Sequence, residues 1–271
     1  MNKIVLNNKA DCMLNNKVRT NEVPILQDMS EGRRRRIFPY KNAAELKKEL
    51  ENIRERLNSV RLQKKTFAHI EAHLRGQFTK QLRMIVTGAG GTGKTEIIHA
   101  TVRLAKILFG RTPSDFGPVV VVAPSGAAAA NAGGYTWQYM TFTNEGSTFK
   151  STLNAQFESD IQKKLEGLEV IIFDEFSMLS PEGLYDLERR FRCSQQDPER
   201  RKLPFGGRHV IFFGDFYQLS PPGSKALYSN LPENDTLFAW RDKGYKIWRQ
   251  FDSFAELVEN VRYHFLSSFI S

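Results

Sequence analysis

The sequence predicts an α/β fold, a mostly parallel sheet with helices on both faces. Short, almost wholly apolar runs alternate with stretches whose apolar residues recur at helical spacing, as buried parallel strands joined by crossover helices do. The runs are "LRMIVT" (82–87), "PVVVVAPS" (118–125), "EVIIFDEFS" (169–177) and "RHVIFFGDFYQL" (208–219). A glycine-rich octapeptide, "GAGGTGKT" at 88–95, joins the first run to a helical stretch. Hydrophobic residues make up 41% of the 271 residues and charged residues 25%, enough for one large or two small domains with a real core.

The elements follow in order. Residues 1–40 are Asn-rich and aperiodic, which predicts a disordered or loosely attached segment. Over 41–56 a basic amphipathic helix is expected. Its stripe of Leu46, Leu50, Ile53, Leu57 and Val60 suits packing against the domain better than a coiled-coil partner. A second helical pattern covers 62–74, ahead of the strand at 82–87. After the octapeptide, Ile97, Ile98, Thr101, Leu104 and Leu108 mark a helix that Gly110 ends. The strand within 118–125 leads into a small-residue segment at 126–137 and a helix-like stretch near 153–167. A strand running into two acids, a helix around 182–193 and the strand of 208–219 complete the pattern. The block 57–262 is taken as one domain and 263–271 as a tail.

The octapeptide, Gly88, Ala89, Gly90, Gly91, Thr92, Gly93, Lys94 and Thr95, matches the phosphate-cradling pattern G-x-x-x-x-G-K-[ST]. Its glycines let successive backbone N–H groups converge on an anion. Lys94 supplies a point charge for the β and γ phosphates, and the Thr95 hydroxyl can reach Mg²⁺. With a strand before it and a helix after it, the loop predicts binding of a nucleoside triphosphate.

The net charge of +9 is localised: residues 33–65 hold twelve Lys or Arg against four Glu, giving +8, while 66–271 sum to +1. A basic segment suits a polyanion such as nucleic acid, although it also suits a solvated charge run. Its "RRRR" at 33–36 equally suits a nuclear import signal. No 18-residue apolar stretch predicts a membrane span, and no apolar core of signal-peptide length stands at the N-terminus. Two cysteines without a CxxC, Cys12 and Cys193, predict a reducing compartment and no zinc site.

Phosphate-loop chemistry needs an acid at the end of a strand neighbouring the loop strand, and Asp174 in "IIFDE" is the candidate to hold Mg²⁺. Glu175 beside it can polarise an attacking water as general base. Gln218, just past the last strand, can touch the γ-phosphate or the water; standing alone, it would be a loop glutamine.

It does not stand alone. The series "GAGGTGKT", "APSGAAAANAGGYTW", "VIIFDEFSML", "PFGGRHVIFFGDFYQLSPP" and "FAELVENVR" closely resembles superfamily-one helicases of the petite-integration-frequency (Pif-one) type. The "FFGDFYQL…LYS…IWRQF" portion is most similar to helicases of Helitron transposons. The resemblance spans roughly 57–262 and implies a RecA-like fold and ATP-driven 5′-to-3′ translocation on single-stranded DNA, with roles in DNA repair, recombination or telomere maintenance. It implies a nuclear location, or alternatively a mitochondrial one. It casts Gln63 as the glutamine that bonds adenine, Asp174 and Glu175 as metal acid and base, Gln218 as sensor, and Arg262 as the arginine approaching the γ-phosphate. DNA contacts fall on Gly126, Gly133, Gly134 and Thr136.

The sequence departs from the pattern at several positions. Trp137, Gln138 and Tyr139 replace the apolar residue, His and Ser usual after that threonine. Trp137 could stack on a base, worth about 1–3 kcal/mol, or pack in the core. Ser220 replaces a common proline and Tyr263 a common glutamine. The family's second RecA-like domain has no counterpart in these 271 residues, which end nine after Arg262. The expectation is therefore the ATP-binding half of a motor. The alternative is a truncated, transposon-derived remnant that binds nucleotide or DNA without unwinding.

Overall fold

A computed structural model describes residues 42–110, 112–113, 116–141, 155–229 and 238–261. Segments 1–40 and 263–271, the arginines 33–36 and Arg262 lie outside the described residues.

Two helices precede the sheet. Helix α1 (Ala43–Asn58) starts where the Asn42 side chain accepts the Glu45 N–H at 2.9 Å, which satisfies one of the helix's open donors. Its stripe of Leu46, Leu50, Ile53 and Leu57 is buried against the domain, as the periodicity predicts. The boundary drawn at 56/57 falls inside this helix. Helix α2 (Arg61–Leu74) follows at once and buries Leu62, Phe67, Ile70 and Leu74.

Strand β1 (Arg83–Gly88), the phosphate-loop residues and helix α3 (Lys94–Phe109) form the central unit, and α3 closes at Gly110. Strand β2 (Val119–Ala123) is wholly buried. The small-residue segment then folds as helix α4 (Gly126–Ala132), the two-residue strand β3 (Tyr135–Thr136) and helix α5 (Trp137–Thr141). Ser125 caps α4 by accepting the Ala128 N–H at 3.2 Å. Next come α6 (Ala155–Lys164), β4 (Val170–Phe173), α7 (Pro181–Cys193), the single turn α8 (Pro198–Arg201) and β5 (His209–Gly214). Helix α9 (Phe238–Trp248) and strand β6 (Ser253–Leu257) end the described fold. Neither has a counterpart among the elements expected from the sequence.

The six strands are ordered β3-β2-β4-β5-β1-β6, and every pairing is parallel. Alternate residues of each strand serve opposite faces. Met84, Val86, Val170, Ile172, Ile211 and Phe213 pack beneath α1, α2 and α3. Ile85, Ile171, Phe173, Val210 and Phe212 pack against α6, α7 and α9. A sheet covered on both faces explains why its strands read as continuous apolar runs rather than alternating ones.

One expectation needs correction. The strand that carries Asp174 is not a neighbour of the loop strand, because β5 pairs with both and separates them. The acid still reaches the loop, since parallel strands end on one edge and ligands bind beyond their carboxyl ends.

Two of the four basic residues of α1 are ion-paired. Arg54 pairs with Glu51 and Glu71, and Arg56 pairs with Glu96 of α3 at 2.7 Å. Glu49 receives Arg103 of α3 at 2.7 Å. Such partly exposed pairs contribute about 0.2–1 kcal/mol each, so the apolar stripe does most to hold α1 in place.

Candidate nucleotide site at the carboxyl edge of the sheet

The phosphate loop leaves β1 at Gly88 and returns into α3, whose N-terminal dipole favours an anion. Gly93 has φ +85, and a β-carbon there would fall 2.2 Å from the Gln63 amide nitrogen. Gln63 is itself buried and donates to the Thr92 carbonyl at 2.9 Å. It therefore braces the loop, and it is the residue for which the family resemblance implies an adenine contact. Thr92 is also buried, its hydroxyl donating to the Ala89 carbonyl at 2.8 Å. The Lys94 ammonium donates to the carbonyls of Gly88 and Ala89, and Thr95 lies exposed in the first turn of α3.

Asp174 and Glu175 follow β4 on the same edge. Asp174 accepts the Glu175 N–H at 3.1 Å. Burial and the adjacent Glu175 carboxylate push Asp174 up to about 6, against the pull of that N–H and of Lys94. Glu175 is one of two non-glycine residues with positive φ among those described, at φ 58 and ψ 50. Such a backbone costs about 1–3 kcal/mol and persists only where its surroundings enforce it. One Glu175 carboxylate oxygen is buried without a hydrogen-bond partner. Burial, then the charge of Asp215, raise its affinity for a proton, while Lys94 lowers it. A strained, half-desolvated carboxylate beside a lysine has the form of a general base.

Asp215, whose charge acts on Glu175, is a further acid beside the site that the motif residues named above do not include. It follows β5, is 8% exposed, and accepts the Tyr217 N–H at 3.0 Å. The signal was available in "FFGDF", an acid directly after a buried run. Gln218 sits exposed in the same turn, with its N–H donating to the Asp215 carbonyl at 3.2 Å. A second unexpected contributor is the strap after β6. Val261 N–H donates to the Gly91 carbonyl at 3.0 Å, and the Asn260 amide donates to that of Gly90 at 3.3 Å. This strap leads directly to Arg262.

The proposed DNA-contacting residues divide. Gly126, at the start of α4, is exposed and has open space around it. Gly133 and Gly134 are buried: Gly133 closes α4, and a β-carbon on Gly134 would fall 2.2 Å from the Val121 carbonyl oxygen. Packing explains the absence of a side chain at Gly134, and the left-handed backbone, φ 69, explains it at Gly133. The Thr136 hydroxyl accepts the Tyr139 N–H at 3.3 Å, shaping the first turn of α5. Trp137 is partly buried against the α6–α7–α9 core, whereas Tyr139 is 49% exposed. Trp137 thus packs partly against the core and keeps part of its surface exposed.

Among the described residues no cluster of three or more His, Cys, Asp or Glu could hold a metal by itself. Thr95 and Asp174 fit Mg²⁺, which takes one or two protein oxygens and completes its shell with water and phosphate. The described residues also contain no helix long and apolar enough to cross a membrane.

The family model for PIF1-like helicase matches residues 58–267. ATP-dependent DNA helicase PIF1 of Saccharomyces cerevisiae (strain YJM789) is 33% identical over 165 residues, 59% of this chain and 17% of that protein. ATP-dependent DNA helicase Pif1 of Psychrobacter sp. (strain PRwf-1) is 30% identical over 171 residues, 60% of this chain and 24% of that protein. The solved Pif1 helicase of Candida albicans aligns with a TM-score of 0.49 at 22% identity, over 74% of this chain and 41% of that one. The chain thus spans less than a quarter of either curated relative. Because the matched region takes in the phosphate loop, both acids and Gln218, the chain belongs to the PIF1-like helicase family.

Proposed function

We propose that these residues form the ATP-binding half of a Pif-type 5′-to-3′ DNA helicase motor, which binds and hydrolyses ATP and contacts single-stranded DNA. The observation that carries this reading is Glu175, held in a strained backbone with a buried, unpartnered carboxylate oxygen beside Lys94 and Asp174. Lys94 and the loop N–H groups bind the triphosphate, and Thr95 and Asp174 hold Mg²⁺. Bound there, the ion would neutralise phosphate charge. Glu175 takes the proton of the attacking water, and Gln218 orients that water or the γ-phosphate. Arg262, which follows the strap over the loop, is proposed to approach the same phosphate. Gln63 is proposed for adenine as well as for bracing the loop.

Single-stranded DNA is proposed to cross the exposed start of α4 at Gly126 and the turn at Thr136. A second RecA-like domain would complete the cleft. The Helitron-like stretch suggests DNA transposition as the setting, with telomere maintenance as another, and Arg33–Arg36 suggest the nucleus, with mitochondria as the alternative.

The test is binding of a fluorescent ATP analogue with and without Mg²⁺. Lys94→Ala is expected to abolish binding, and unchanged affinity would overturn the assignment.

A further inference from the structure

The turn that carries Gln218 is tied to the residue that follows Glu175. Phe216 lies between the two hydrogen bonds that Asp215 accepts, and its ring packs against Phe176 at 5.0 Å and Tyr228 at 5.1 Å. The Tyr228 hydroxyl donates to the Phe216 carbonyl at 2.9 Å, so Tyr228 holds both the ring and the backbone of that residue. Phe176 directly follows Glu175, is fully buried, and lies so close to Gly214 that a β-carbon there would fall 2.7 Å from its ring. The ends of β4 and β5 are thereby keyed together beneath the nucleotide site.

We propose that Tyr228 is a positioning residue for ATP hydrolysis, holding the Asp215–Gln218 turn in fixed relation to Glu175 through the Phe216 carbonyl and the Phe216–Phe176 contact. The proposal rests on the reading of the site given above. The hydrogen bond of Tyr228 goes to the backbone of the turn and its ring contact to Phe216. Its influence runs through Phe216, whose ring also meets Trp248 and Phe254 at 6.4 Å. Tyr228 thus shares the ring with these aromatic neighbours, and the hydrogen bond to the Phe216 carbonyl is its direct hold on the backbone of the turn. Burial raises the Tyr228 phenol above its ordinary value, with Asp215 adding to the effect and a hydrogen bond with Ser220 opposing it. The phenol therefore remains a donor across the neutral range.

Tyr228→Phe removes the hydroxyl and keeps the ring, and Tyr228→Leu removes both. Hydrogen–deuterium exchange over residues 214–220 in nucleotide-free protein reads the turn, and single-turnover hydrolysis with its ATP dependence reads the chemistry. For Tyr228→Phe, exchange at Tyr217 and Gln218 is expected to rise roughly three- to tenfold, the worth of one neutral hydrogen bond. The hydrolysis rate should fall while the ATP concentration giving half-maximal rate stays the same, and Tyr228→Leu should go further in both. Unchanged exchange would overturn the proposal. So would a fall in ATP affinity that accounts for the whole loss of rate, since that is the mark of a general structural defect. Failure of the parent protein to bind ATP would overturn the reading of the site, and the exchange comparison would still decide whether Tyr228 holds the turn.

Discussion

At the scale of single residues, Asp174 and Glu175 adjoin, and the proposal gives them different work, metal binding and proton abstraction. Glu175→Gln keeps the shape of the side chain but exchanges a carboxylate oxygen for an amide donor and so removes the proposed base; bound nucleotide should persist while hydrolysis falls by about 10²–10⁴-fold. Equilibrium binding of a fluorescent analogue beside a phosphate-release assay separates the two effects, and joint loss would contradict the division. Asp174 makes a prediction about stability. Its folded value of about 6 lies above the ordinary 3.8. Between those values the folded chain holds more protons than the unfolded one, so stability falls as pH rises through that window and stays lowered above it. Asp174→Asn, in buffer without metal or nucleotide, should therefore be more stable than the parent by about 1–3 kcal/mol at pH 8. The gain should shrink towards zero as pH falls to about 4, and melting temperatures at the two pH values check it. Equal stability at pH 8 would show that the site tolerates the charge.

At the scale of elements, α4 and α1 each separate packing from contact. Gly126→Ala meets nothing within 4 Å, whereas Gly134→Ala drives a methyl group into the Val121 carbonyl. The first should leave stability within about 0.5–1 kcal/mol of the parent; the second should cost about 1–3 kcal/mol or more as β2 and β3 are forced apart. Urea denaturation of both variants tests the contrast, and weak DNA binding by Gly134→Ala would then reflect damage to the fold. Helix α1 offers a similar division. Deleting residues 1–41 removes Arg33–Arg36 but leaves the buried stripe, so the melting temperature should hold while the slope of log DNA affinity against log salt flattens, by about 0.7 per lost single-strand phosphate contact. Deleting through residue 58 strips Leu46, Leu50, Ile53 and Leu57 from the core. Each buried leucine or isoleucine is worth about 1.5–3 kcal/mol, so that truncation should unfold the domain.

At the scale of the molecule, one parallel sheet collects the phosphate loop, two acidic strand ends, Gln218 and the strap on a single edge. Translocation on a strand requires two bodies that grip alternately, and an arginine brought from a second body is typically worth about 10³–10⁵ in rate. If the proposed cleft needs a second RecA-like domain, residues 1–271 tested on their own are expected to bind ATP, hydrolyse it slowly and separate no strands. A strand-displacement assay on a 5′-tailed duplex, run beside a fusion to a related second domain, checks this expectation. ATP-dependent unwinding by the polypeptide alone would refute it.

The sequence by itself determined the features that depend on covalent spacing or on the strength of a local apolar run. The eight residues of the phosphate loop keep their relation whatever packs around them, and runs such as 119–123 and 170–173 are too apolar to lie anywhere but inside a covered sheet. The α1 stripe was legible for the same reason, since its period is that of the helix. Tertiary structure decided what depends on partners remote in sequence. Strand order is set by pairing across the sheet, so nothing local to β4 shows that β5 stands between it and β1. Gln63, Asp215 and Asn260 acquire their work only when chain segments far from one another meet at the phosphate loop or at Glu175. Trp137 and Gly134 were ambiguous in sequence, because an aromatic ring or a missing β-carbon serves a core as readily as a nucleic acid, and only the structure shows that both pack against the domain. Local pattern names the chemistry a residue can do, and the packing of distant segments decides which residues are placed to do it.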